Sequence, residues 1–300
     1  MFGRNDMPKP QATAATGSSV MPKLPVTVVI PVKNEEKNLP SCLDALGTAW
    51  DEIVVVDSAS SDRTAQIAEE RGVRLVDFRW NGKFPKKRNW FLDSHETRND
   101  WCLFLDADEA VTPAFIAEVE CALRQEGKVG FWLTYTNYFL GRPLRHGVPQ
   151  RKLALFRKSA GRYEKIDEDH WSQLDMEVHE HPQLTGEVGE IGARIDHRDF
   201  QGIGKFVTRH LDYAKWEMAR YSQLRNALAS KDLTPRQKAK YGNIERAWFA
   251  PAYFCLSYFV KFGFLDGLAG FQYSFYKAWY FNTIRLMIKE ARNNERTAKL

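Results

Sequence analysis

Cysteine is scarce in this chain of 300 residues: Cys42, Cys102, Cys121 and Cys255 are scattered, with no Cys-x-x-Cys spacing. A disulfide framework is excluded on that pattern, and the thiols are expected to stay reduced in a cytosolic compartment. A secretory signal is also missing. The first apolar run, Val26 to Val32, is interrupted by Pro31 and followed by charges, so secretion is not expected. The aromatic C-terminal stretch lacks the ~18 or more uncharged apolar residues of a membrane-spanning helix. Apolar residues themselves are not lacking: at 44% hydrophobic content the chain can bury a substantial core, which excludes disorder of the whole.

The net charge of +5 is unevenly placed. Residues 201 to 300 hold 17 Lys and Arg against 7 Asp and Glu, which leaves 26 against 31 for the first two hundred. Such a basic C-terminal part suits anionic lipid, nucleic acid or an anionic acceptor, and composition does not choose among them.

Residues 1 to about 23 are polar, rich in Ala, Ser and Pro, and without periodicity, and are expected to form a disordered leader. Pro25 to Val32 then reads as a β-branched strand, with Lys33-Asn34-Glu35-Glu36 as a polar turn. A helix should follow, with Leu39, Cys42, Leu43 and Leu46 on one face and Gly47 as its left-handed stop. Glu52 to Asp57 is a second buried strand ending in an acid. A helix from about Asp62 to Arg71 and a strand at Val73 to Phe78 complete β-α-β-α-β with short links, hence a parallel, doubly wound sheet. Ligands of such sheets sit at the carboxyl ends of the strands.

The basic loop from Gly82 to Asn89 opens another helix, and Lys83, Lys86 and Lys87 in it read as a solvated face. Trp101 to Leu105 is a strand that runs into Asp106, Asp108 and Glu109. Two residues apart in an extended segment, Asp106 and Asp108 point the same way, and hard carboxylate oxygens suit Mg2+ or Mn2+. Taken alone, an Asp-X-Asp pair more often has Asp108 capping the following helix and Asp106 facing water. Thr112-Pro113 opens a helix with Thr as N-cap and Pro at the first position. Strands are expected at Phe131 to Phe139 and Leu153 to Phe156, then a long acidic and His-containing loop over residues 161 to 182, and helices from Lys205 and from Thr234-Pro235.

From Trp248 to Phe281 the chain is dense in aromatics and broken by Lys261, Asp266 and Lys277. Two readings stay open for it. Either the segment packs onto the rest of the protein, or it lies at a membrane interface with basic residues reaching lipid phosphates.

Asp57, Asp106 and Asp108 all end strands that a doubly wound sheet lines up along one crevice. With Val29-Ile30-Pro31-Val32-Lys33-Asn34-Glu35-Glu36, Val56-Asp57-Ser58-Ala59-Ser60-Ser61-Asp62-Arg63-Thr64 and Phe104-Leu105-Asp106-Ala107-Asp108-Glu109, the chain resembles family 2 glycosyltransferases of the GT-A fold over about residues 24 to 220. The resemblance implies that Asp57 pairs with the nucleobase of a UDP-sugar, and that the DXD motif, Asp106 and Asp108, meets ribose and a diphosphate-bound Mg2+ or Mn2+. Pro31, Asn34, Glu35 and Arg88 fall on its nucleotide-binding positions, and Asn89 adjoins them.

Met176-Glu177-Val178-His179-Glu180 resembles the subgroup that includes lipopolysaccharide core glucosyltransferases. It implies Glu180 as general base, with Glu177 and Asp167 behind it, and His179 as a metal or phosphate contact. Asp266-Gly267 also resembles that subgroup, without an assigned role. The resulting expectation is a GT-A catalytic domain over 24 to 220 and a helical, aromatic and basic extension over 221 to 300. The expected reaction is inverting, metal-dependent transfer of a hexosyl unit from a UDP-sugar to a hydroxyl of a glycan or glycolipid, with peripheral contact at the inner face of the cytoplasmic membrane.

Three rivals share parts of this pattern. A polyprenyl-phosphate glycosyltransferase needs no strong base, and a nucleotidyltransferase releases diphosphate. A nucleic-acid-binding protein would use the basic aromatic C-terminus, against which stands the clustering of its aromatics in apolar runs instead of alternation with Lys and Arg.

Overall fold

The computed structural model describes residues 22–166, 175, 181–198, 202–225 and 235–297. Its first half alternates as the sequence dictates. Strands β1 (Leu24–Val32), β2 (Trp50–Asp57), β3 (Arg74–Asp77) and β4 (Trp101–Phe104) are linked by helices α1 (Leu39–Leu46), α2 (Thr64–Glu70) and α3 (Lys87–Ser94). β1 lies parallel to both β2 and β4, and β2 parallel to β3. The β-branched run of β1 is buried from Val26 onward because helices cover both faces. α1 turns Leu39, Cys42, Leu43 and Leu46 inward and stops at Gly47, whose φ of 56° favours a residue without Cβ.

The second half adds β5 (Glu109–Ala110), α4 (Pro113–Ala122), β6 (Lys128–Phe139), β7 (Arg142–Leu144), β8 (Gln150–Arg157), β9 (Gly161–Tyr163), β10 (Pro182–Leu184) and β11 (Glu187–His197). Thr112 caps α4 as expected, its hydroxyl accepting from Phe115 N at 3.1 Å. The main sheet has nine strands in the order β3-β2-β1-β4-β8-β6-β11-β5, with β7 paired to β6, while β9 and β10 form a separate antiparallel pair. β8 runs antiparallel to both β4 and β6. The sheet is thus parallel over β3, β2, β1 and β4 and mixed beyond, with a core dominated by Val, Ile, Leu and Phe on both faces.

β11 is the element that the sequence reading passes over. Its exposed Glu187, Val188, Glu190 and Gly192 dilute the apolar pattern, yet Ile191, Ala193 and Ile195 alternate with period two, and Ile191 and Ile195 are buried. It pairs parallel with β6 and, at its end, antiparallel with β5, setting His197 opposite Glu109.

The C-terminal part consists of α5 (Gly202–Arg225), α6 (Pro235–Asn243), α7 (Phe249–Cys255) and α8 (Gly267–Thr297). Ala214, Tyr221 and Leu224 of α5 and Tyr241 of α6 pack against Tyr280, Ile284 and Ile288 of α8. Tyr273 and Tyr276 of α8, with Phe206, pack on Phe139 and Leu144, so one face of the extension belongs to the core of the sheet domain. Its other face is apolar and exposed, with Phe259, Phe262, Leu268, Phe271 and Phe275 in the open. Among the described residues no single helix is long and apolar enough to cross a membrane, and the segments Phe249–Val260 and Gly263–Thr297 meet at a bend of 73°.

Candidate active site

The sheet register brings the expected acids to one edge. Val32 lies opposite Asp57, and Val29 opposite Phe104, so the chain leaving β4 carries Asp106 and Asp108 past the ends of β1 and β2. Asp57 is buried, and its carboxylate accepts from Ser60 N at 3.0 Å and from the Ser60 hydroxyl. Ser60 Oγ in turn accepts from Asn34 N at 2.8 Å, and Asn34 Oδ1 accepts from Ser61 N at 2.8 Å. Glu35 N donates to Thr64 Oγ1 at 2.7 Å, and the Glu35 carboxylate accepts from Asn38 Nδ2 at 2.7 Å. Pro31 is buried in β1 opposite Val56. The turns after β1 and β2 are therefore stitched together. Asp57 performs a turn-capping role in the free protein, and its position at the strand end also directs it to the crevice.

Asp106, Asp108 and Glu109 face Arg88, Lys152 and His197. Arg88 Nη2 donates to Asp106 Oδ1 at 2.9 Å, and Lys152 Nζ donates to Asp106 Oδ2 at 2.5 Å and also to Glu109 Oε1. Lys152 further lies over the Tyr135 ring at 5.0 Å. His197 Nε2 sits 3.3 Å from Asp108 Oδ2, and its Nδ1 is 2.9 Å from Asn137 Oδ1. An amide oxygen accepting from Nδ1 leaves Nε2 to face Asp108, the orientation in which imidazole serves as a metal ligand.

Burial works against charge throughout this cluster. Lys152 and Arg88 outweigh it at Asp106 and hold that carboxyl below the usual range. Asp108 outweighs it at His197, whose affinity for a proton is raised. At Glu109 burial outweighs the Lys152 ammonium that the carboxylate accepts from, and the carboxyl is pushed up to about 7. Among the described residues, Asp108 Oδ1 is buried without a hydrogen-bond partner, a costly state for a carboxylate oxygen and one that a bound cation relieves. Both Asp106 oxygens, by contrast, are engaged by Lys152 and Arg88. Among the described residues no group of three or more His, Cys, Asp or Glu is arranged to hold a metal ion; Asp108 and His197 are side chains of the kind that could offer a cation two ligands.

The solvated face expected of the basic loop is corrected by the structure for two of its lysines. Lys83 is exposed, but Lys86 and Lys87 are buried, 5% and 2% exposed. The Lys87 ammonium donates to Val32 O at 2.9 Å and lies 3.5 Å from Asp175, and burial pushes its pKa down. Lys87 N also donates to Asp175 O at 3.0 Å, which ties Asp175 to the start of α3. Asn89 exchanges hydrogen bonds with the Tyr163 backbone at 2.9 and 3.0 Å and anchors β9, whereas Arg88 faces the acids.

Glu177, His179 and Glu180 lie outside the described residues, as does Asp167. Sequence reasoning missed Lys152, His197 and Asn137. Only the alternation in β11 pointed toward His197, and nothing in the local pattern marked Lys152. Asn137 also walls a pocket bounded by Tyr135, His146, Arg194 and Tyr273, so a second concavity adjoins the acid cluster.

Residues 27–175 match the family model described as Glycosyl transferase family 2. An uncharacterized glycosyltransferase of Rickettsia felis is 26% identical over 255 residues, covering 81% of this chain and 82% of that protein. The lipopolysaccharide core biosynthesis glycosyltransferase LpsC of Rhizobium meliloti is 29% identical over 178 residues, 57% of this chain and 61% of that protein. Among solved structures, S. aureus TarS 1–349 aligns over 90% of this chain and 92% of that one at 16% identity, with a TM-score of 0.42.

Proposed function

Because the chain belongs to glycosyl transferase family 2 and transfers a sugar from a nucleotide-sugar donor to an acceptor, we propose that its donor is a UDP-sugar. We propose further that it moves a hexosyl unit with inversion onto a hydroxyl of a membrane-associated glycan or glycolipid of the lipopolysaccharide-core kind. The observation that carries this reading is the meeting of Asp57, Asp106 and Asp108 on one sheet edge, framed by Arg88 and Lys152, with Asp108 Oδ1 buried and unpartnered among the described residues.

Asp57, with Pro31, Asn34 and Glu35 around it, is assigned the base pocket, where a carboxylate can accept the uracil N–H. Asp106 is assigned the ribose, held in place by Arg88 and Lys152. Asp108 and His197 would hold Mg2+ or Mn2+, which when bound supplies charge neutralisation for the leaving diphosphate. The electrostatics support this division. Arg88 and Lys152 offset part of the charge of the three carboxyls, so a divalent cation and a diphosphate together disturb the site's balance less than either alone.

Glu180, with Glu177 behind it, is assigned the proton of the acceptor hydroxyl. As the acceptor oxygen bonds to the anomeric carbon from the face opposite UDP, the bond from that carbon to the β-phosphate oxygen breaks and its electron pair leaves with UDP. The pocket beside Asn137 is the proposed acceptor side. Residues 24 to 220 form the proposed catalytic part and 221 to 300 the extension. A screen of UDP-sugars for hydrolysis without acceptor, followed by anomeric analysis of the transfer product, tests the reading. Hydrolysis of no UDP-sugar, or a product of retained configuration, contradicts it.

A further inference from the structure

Where α7 gives way to α8 the chain makes a bent, apolar tip. Phe259, Val260, Phe262, Phe264, Leu265 and Leu268 are 43% to 71% exposed, which is unusual for so many large apolar side chains within ten residues of one another. The tip is firmly built. Phe262 adopts the left-handed region at φ 59°, and the hairpin closes through glycine contacts: a Cβ on Gly270 would lie 2.0 Å from Gly263 O, and one on Gly263 2.7 Å from Ser257 O. Ser274 donates to Ser257 at 3.2 Å beneath it. The exposed apolar surface continues onto α8 at Phe271 and Phe275, spaced with Leu268 along one side of the helix.

Charge narrows the choice of what covers this surface. From Ala247 to Lys289 the sequence holds a single acid, Asp266, and its carboxylate is turned inward, accepting from His146 N at 2.8 Å and meeting His146 Nδ1 at 2.9 Å. The exposed charges of the stretch are therefore basic, with Lys261 at the tip itself and Lys289 along α8. A second copy docked by the same face would set these cations against their own symmetry mates. A bilayer with anionic headgroups complements them, with aromatic rings at headgroup depth.

We propose that the Leu256–Leu268 tip and the adjoining face of α8 dock the protein on an anionic lipid bilayer. This deepens the proposed function, resting on it for the identity of the acceptor, because the same hairpin is hooked to the acceptor side of the site. Asp266 binds His146, and Gly147 N donates to Lys261 O at 2.8 Å, and both His146 and Gly147 line the pocket beside Asn137. A docked tip brings the mouth of that pocket to the lipid surface, where a lipid-anchored acceptor presents its sugar.

The test is co-sedimentation of the full chain with phosphatidylcholine vesicles, with and without phosphatidylglycerol, for the wild type and a Phe262→Ser/Phe264→Ser/Leu265→Ser variant. The variant's melting temperature and UDP affinity serve as controls for the fold and for the donor site. The wild type is expected to bind the anionic vesicles, with partial release at high salt, and the variant to bind at least about tenfold more weakly with both controls unchanged. Equal binding by wild type and variant overturns the proposal. So does a wild type that ignores anionic vesicles, and if it then sediments in solution as a dimer that the variant abolishes, a second copy covers the face. UDP binding and donor hydrolysis require no vesicles, so the two readings fail separately.

Discussion

Replacing Lys152 with methionine removes one charge from the middle of the acid cluster and keeps most of the side chain's volume over Tyr135. Two carboxyls lose their shared partner: Asp106, with a 27% exposed side chain, and Glu109, with a fully buried one. Taking one partner from a buried ion pair costs about 3–5 kcal/mol. Lys152 is itself 26% exposed, so water reaches part of the cluster and the low end, about 3 kcal/mol, applies. The loss depends on pH. Burial already pushes the Glu109 carboxyl up to about 7, and without Lys152 it moves higher. A carboxyl whose folded pKa is raised costs nothing while it is protonated in both states. It destabilises increasingly as pH rises above its unfolded value and up to its folded one. Thermal unfolding in EDTA should show Lys152→Met melting about 5–10 °C below wild type near pH 8, with the gap narrowing as pH falls through about 7, where Glu109 becomes protonated in both folded proteins. Adding Glu109→Gln should remove most of the pH dependence. A single variant within about 1 kcal/mol of wild type at pH 8, or a gap that widens on acidification, refutes the electrostatic account of the cluster.

Asp108→Asn should cut turnover by orders of magnitude with the fold intact, and EDTA should do the same to the wild type; near-normal rates in either case would sink the metal-dependent mechanism. Asp57→Ala should weaken UDP binding, read by calorimetry, more than it slows the bound complex, since base contacts are made equally in ground and transition states. Glu52, away from the site, accepts from Thr27 Oγ1 at 2.8 Å, Arg98 N at 2.9 Å and Arg74 Nη1 at 3.0 Å. Burial opposes its charge, but these donors hold its carboxyl below the ordinary range. Its contribution is present at neutrality and lost as pH falls through the carboxyl range, so Glu52→Gln should destabilise the protein at pH 7 and flatten the acid limb of its stability curve.

The parallel half of the fold was legible because each level agreed: β-branched runs, the apolar face of α1, Gly47 as a stop, and acids at strand ends. Asp106 and Asp108 could be placed from the sequence because a strand end fixes position without any long-range contact. Lys152 and His197 could not. Each reaches the acids from a strand far along the chain, Lys152 lying 46 residues beyond Asp106, through pairings that local pattern does not specify. The burial of Lys86 and Lys87 was misread for a related reason. A run of lysines signals solvent by composition, and only the packing of α3 against Val32 and Asp175 reverses it. Of the two readings of the aromatic C-terminus, packing describes one face of α8, which lies on the sheet domain, while the other face stays exposed and is the surface that the membrane reading would cover.

The coupling of cation and nucleotide at Asp108 and His197 tests the central claim most directly. Calorimetric titration of UDP into the wild type with and without Mn2+, repeated with His197→Ala and Asp108→Asn, reads it without any turnover. The account predicts that Mn2+ tightens UDP by about 5- to 150-fold in the wild type, that each variant loses most of this gain, and that UDP affinity in EDTA changes little. Equal UDP affinity with and without Mn2+ in the wild type, or a gain that survives in both variants, would contradict it.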